Sequence, residues 1–158
     1  MRRFLIDFLA AIVFSVPLFV EASPVERSQT GPLFNNGTLK IIQGGRSARL
    51  NVEIVGTPEA RMQGLMGRER LADGAGMLFV YPASAPREFW MKDTLIPLSI
   101  AFISEDFNLI EIRHMAPPAD NENPPTYYSK EPARYALEVN RGWFKRNGFG
   151  VGAKVKVE

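Results

Sequence analysis

The chain contains no cysteine. That absence excludes a disulfide framework, a thiol nucleophile, thiolate metal ligation and a lipid-modified cysteine anchor. Histidine is almost as scarce, with His114 alone among 158 residues. A Ser-His-Asp arrangement would have to use that residue. His114 falls in an Ile110, Ile112, His114 alternation, which reads instead as a packed or strand-end position. No Gly-Lys-Ser/Thr sequence is present, and Gly142 and Gly148 do not form a dinucleotide fingerprint. The formal net charge is only +2 and the arginines are scattered without a basic run, so nucleic acid is not an expected partner. Zinc lacks ligands here, and no metal or other cofactor is expected.

What is present is ordinary globular material: 46% hydrophobic and 23% charged residues, enough for one core. Residues 1–22 read as a signal peptide. Arg2 and Arg3 are followed by an apolar stretch from Phe8 to Val20, with Ala22 at the expected cleavage point. Contact with a membrane is expected only through this segment if it stays uncleaved. Residues 23–37 are rich in Pro, Ser, Gly and Asn and read as a flexible leader. The single folded domain is expected over 38–158, in an exported protein of the periplasm or cell envelope.

Within that domain, Ala48, Leu50, Val52 and Ile54 alternate with Arg49, Asn51 and Glu53, the two-residue period of a half-buried strand. Thr57-Pro58-Glu59 opens a short helix by a hydroxyl N-cap, a proline at the first helical position and an early acid. Met62, Leu65 and Met66 are expected on its buried stripe and Gly67 at its end. Met77–Tyr81 reads as a strand, and Leu98–Ile103 with Leu109–Met115 as a hairpin. Ala116–Lys130 reads as a long loop stiffened by four prolines. Arg134–Val139 returns to strand, with Tyr135, Leu137 and Val139 on one face and Arg134, Ala136 and Glu138 on the other. A helical turn over Gly142–Asn147 and a closing strand at Val155 and Val157 complete the chain. The expected fold is α+β and mostly β: seven or eight strands in an antiparallel-rich, barrel-like or sandwich-like sheet, with one or two short helices.

The densest chemistry lies in Glu88–Ile100, where Trp90, Lys92, Asp93 and Thr94 are close neighbours. An aromatic platform beside charged hydrogen-bonding groups suits a carbohydrate or another flat ligand. Tyr128 on the proline-rich loop offers a second wall. Arg61 and Arg68, two helical turns apart, form with Lys92 a cationic patch able to grip an anion if the helix extends that far. The competing expectation is structural: a carboxylate at Glu138, flanked by aliphatics, needs a partner, and Arg61 or Arg68 could supply it.

Several motifs resemble one family. They are Arg61-x-x-Gly64-Leu65-Met66-x-Arg68, Gly76-Met77-Leu78-Phe79, Phe89-Trp90-Met91-Lys92-x-Thr94-x-x-Pro97-Leu98, Tyr128-Ser129, and Leu137-Glu138 followed by Gly142. In this order they resemble the domain-of-unknown-function family one-nine-two, small bacterial and archaeal proteins, many of them exported. The resemblance covers about Leu50 to Val157 and implies a mostly β fold without supplying an activity. One departure is Asp93, where the family usually has Asn. The expected function is a binding module for an anionic or carbohydrate-type envelope ligand, using Arg61, Arg68, Trp90, Lys92, Asp93, Thr94, Tyr128 and Glu138. The alternatives are a carboxylate-dependent hydrolase of envelope glycans and a purely structural accessory protein; the residues favour binding over catalysis.

Overall fold

A computed structural model describes residues 35–158. The expected signal peptide lies outside the described residues, as does the leader up to residue 34. The first strand, β1 (Asn35–Gln43), starts three residues before the boundary expected at Thr38. It turns at Gly44-Gly45 into β2 (Arg46–Val55), antiparallel and in register from Leu39↔Leu50 to Gln43↔Arg46. After α1 (Pro58–Gln63) the chain enters β3 (Ala75–Ala85), which runs parallel to β2. Parallel neighbours need a crossover, and α1 with the turns after it provides one.

The remaining strands are β4 (Glu88–Trp90), β5 (Leu98–Ile103), β6 (Leu109–Met115), β7 (Thr126–Tyr128), β8 (Ala133–Asn140) and β9 (Lys154–Val157). Helix α2 (Trp143–Arg146) sits between the last two. Seven strands form one sheet in the order β6-β5-β8-β3-β2-β1-β9, and β4 pairs with β7 in a small second sheet. The large sheet curls into a half-barrel. Its outer strands are stitched at one end, where Leu109 N–H donates to the Ala153 carbonyl at 2.8 Å and Val155 N–H to the Phe107 carbonyl at 2.9 Å.

Alternation along β8 sends side chains into two separate apolar clusters, one on each face of the sheet. Leu137 and Val139 join Leu50, Val52, Trp143 and Phe144. Ala136 joins Met77, Phe79, Phe89, Ile100 and Leu65, under α1 and the small sheet. With both faces covered, β5 is buried at all six positions, which explains why its sequence is a nearly continuous apolar run. Gly76 is required by closeness: a Cβ there would stand 2.7 Å from the Glu138 carbonyl oxygen.

Most expected elements are present, including both arms of the 98–115 hairpin. Three expectations are corrected. Helix α1 stops at Gln63, because Gly64 (φ 47°) turns the chain out of the helix. Met62 consequently points outward and is 68% exposed, while Leu65 is buried from the turn that follows. The 116–130 loop contains β7, which raises the number of strands among the described residues to nine.

Candidate functional site

Thr57 caps α1 by accepting the Ala60 N–H at 3.2 Å, and Pro58 fixes the first turn. The short helix therefore stands beside β4 and presents Arg61, Met62 and Gln63 toward Trp90. On β4, Phe89 is buried and Trp90 is 44% exposed, so the tryptophan is a surface platform and not part of the core. Between helix and strand lies a hollow of about 30 Å³ lined by Arg61, Leu65, Phe79, Phe89, Trp90 and Thr94, with Glu138 among them. Two wider recesses adjoin it. One, of about 290 Å³, lies between Arg61, Tyr81, Glu88 and Trp90. The other, of about 380 Å³, is bordered by Glu59, Gln63, Met66, Lys92 and Asp93. Met62 and Trp90 line all three, so the recesses make one groove with a small pit in its floor.

Glu138 occupies the middle of a row across the sheet. Its register partners are Met77 on β3 and Ile100 on β5, and Met77 in turn stands opposite Glu53 on β2. The residue is only 5% exposed, and no described donor hydrogen-bonds its carboxyl. Loss of water without replacement penalises the charged form, and burial pushes the carboxyl up to about 8. The expected tie to an arginine is therefore corrected. Arg68 is held by Glu53 through two bonds, of 2.5 and 2.6 Å. Glu53 lies two strands from Glu138, roughly 10 Å at ordinary strand spacing. Arg61 donates through Nη1 to the backbone carbonyls of Gly56 and Val80, and its guanidinium lies 4.8 Å from the centre of the Tyr81 ring.

The turn after β4 places the other candidates. Thr94 is buried and its hydroxyl donates to the Lys92 carbonyl at 3.1 Å. Lys92 Nζ lies 5.4 Å from the Trp90 ring centre. Asp93 has φ 50°, and its N–H donates to Asn121 Oδ1 at 3.1 Å. Among non-glycine residues Asn and Asp accept that left-handed conformation most readily. The Asp-for-Asn departure therefore preserves a backbone role.

The structure thus brings together Arg61, Trp90, Thr94 and Glu138 around the pit, with Lys92 and Asp93 in the groove beside it. It does not bring Arg68 or Tyr128 there. Tyr128 stands opposite Glu88 on the same face of the small sheet as Trp90, its hydroxyl 3.4 Å from Glu88 Oε1, but it lines none of the three recesses. The cationic patch of Arg61, Arg68 and Lys92 is not assembled. Sequence reasoning missed Gln63, Phe79 and Phe89 as lining residues and the outward turn of Met62. The glycine at 64 was the available signal for that turn.

Two other places carry less. Ser99 and His114 are joined at 2.8 Å, but the Ser99 hydroxyl is fully buried and also accepts the Gly142 N–H at 2.9 Å. It is a structural link and not an accessible nucleophile. A hollow of about 440 Å³ at Asn36, Thr38, Asn51 and Glu53 has one ionisable wall residue, and Arg68 already binds it.

Fold and groove together define a small β-rich half-barrel with a helix-flanked pit on its outer face. Residues 39–157 match the DUF192 family, described as uncharacterized ACR, and the chain belongs to that family. A solved protein from Sinorhizobium meliloti, described as a "putative transcription regulator", is 33% identical with a TM-score of 0.73, covering 78% of this chain and 95% of its own. A protein of unknown function from Novosphingobium aromaticivorans is 27% identical with a TM-score of 0.68, over 86% of this chain and 94% of its own. No curated protein matches the chain.

Proposed function

We propose that the protein is an exported binding module whose groove holds a carbohydrate-type ligand, with a ring on Trp90 and a polar group in the pit at Glu138. The observation that carries this reading is a half-exposed tryptophan beside a buried carboxyl that has no partner of its own. Such a carboxyl is stabilised when a ligand supplies the missing hydrogen bond. Of the two ligand chemistries expected from the sequence, the carbohydrate is the better supported. An anion would rely on the patch of Arg61, Arg68 and Lys92, and with Arg68 and Arg61 already engaged only Lys92 is left to it in the groove. Export rests on the basic, apolar and small-residue order of residues 1–22.

Titration calorimetry with a panel of neutral, amino and acetamido sugars tests the reading. Trp90→Ala is expected to weaken sugar binding by about tenfold or more, as the loss of a stacking surface implies. Absence of binding by every sugar, or equal binding by the variant, would overturn it. A second reading, glycan hydrolysis, is favoured by one fact only: Glu138 holds its proton near neutral pH, as a general acid must. Release of reducing ends by the native protein and not by Glu138→Gln would establish it.

A further inference from the structure

The floor of the pit poses a narrower chemical question than the groove does, and its answer rests on the carbohydrate reading. We infer that the pit takes a primary ammonium group, so that the ligand is an amino sugar with its amine against Glu138 and its ring on Trp90.

Size is the first argument. About 30 Å³ is room for the centres of one or two water molecules. An ammonium group fits that space, whereas a sugar ring does not. Charge is the second. The cations nearest the pit are engaged elsewhere: Arg61 with the Gly56 and Val80 carbonyls, Arg68 with Glu53, and Lys92 over Trp90. A hydroxyl entering the pit brings one donor and no charge. An ammonium brings three donors and the counter-charge that an ionised Glu138 otherwise lacks. Arg61 borders the pit, but its guanidinium is drawn toward the two carbonyls and the Tyr81 ring.

The surroundings agree. Leu65, Phe79 and Phe89 wall the pit and keep bulk water from screening the pair. Aromatic faces tolerate a neighbouring cation well. Outside, the recesses carry the acids Glu59, Glu88 and Asp93, set against Lys92 and Arg61. A cation approaching the groove therefore meets more negative than positive side chains.

Short β-linked oligomers of glucosamine, N-acetylglucosamine and glucose, titrated into the full chain, decide the matter. The glucosamine oligomer is expected to bind at least about tenfold more tightly than the other two. Glu138→Gln, isosteric with the protonated acid, should abolish that preference, and the glucosamine oligomer should lose more affinity than either of the other two. Equal binding of the acetylated or neutral oligomer, or a preference that survives Glu138→Gln, would overturn the ammonium assignment while the carbohydrate reading stood. A lysine peptide that binds where no oligomer does would overturn the amino sugar and the carbohydrate reading together, leaving only an ammonium in the pit.

Discussion

On the face of the large sheet that carries Leu50, Leu137 and Val139, the interior is apolar and its buried hydroxyl, Ser99, is bonded both to Gly142 and to His114. The opposite face carries Glu53, Met77 and Glu138 in one row. There Glu53 is answered by Arg68, but Glu138 is answered by nothing in the described residues. Both faces are built by the same alternation along the same strands. The difference is that one closes on itself, whereas the other keeps a polar group desolvated and unmatched under α1. A buried polar group with both partners in place belongs to the architecture. One with neither leaves room for a ligand, and it costs stability until the ligand arrives.

The largest effect expected from breaking this contrast is a pH dependence. Glu138 is raised from an ordinary 4.5 to about 8 in the folded chain, so the folded state keeps its proton where the unfolded state has lost it. Stability from this group is complete below about 4.5, declines as pH rises, and is gone above about 8. The full shift corresponds to at most about 5 kcal/mol. Glu138→Gln should remove most of the decline, melting close to wild type at acidic pH and more stably than wild type at pH 9. Denaturant melts at the two pH values check this; equal losses at both would mean that Glu138 has a hidden partner.

On the closed face, Leu50→Ala should cost about 3 kcal/mol at every pH, since it empties a fully buried site in the apolar cluster. The smallest effect belongs to the pair on the open face. Arg68→Ala should cost about 1 kcal/mol or less and fade in high salt, because both side chains keep about a third of their exposure. A much larger loss would show that Arg68 also restrains the turn after α1.

The parts of this contrast that depend on neighbours in sequence were readable beforehand. Leu50 and Val52 were placed inward by period alone, and the β5–β6 hairpin was bounded by its polar tip. Thr57-Pro58 announced α1 because capping is a local event. What could not be read was pairing over distance. Arg68 and Glu53 are brought together only when β2 and the turns after α1 meet, so the sequence pointed to Glu138 as the partner and not to Glu53. Strand β7 was hidden among prolines because three residues carry no period, and its pairing with β4 is set by tertiary position. In the site, Trp90, Thr94 and Glu138 were legible as chemistry. The pit was not, since it exists only where three separated segments fail to fill the space between them.

The edge-to-edge arrangement of β1 and β9 has a consequence for the order of assembly. Residues 39–42 pair with residues 154–157, at opposite ends of the described chain. A ribosome delivers the first of these strands long before the second, so β1 leaves synthesis with one ladder of hydrogen-bonding groups unclaimed. Such an open edge is a template for pairing with another chain. Distant contacts of this kind also slow folding, because loop closure must precede the reward. The last four-residue strand therefore acts as a latch: it claims the open edge of β1 and, through the Asn108↔Lys154 bridge, meets the far end of the same sheet.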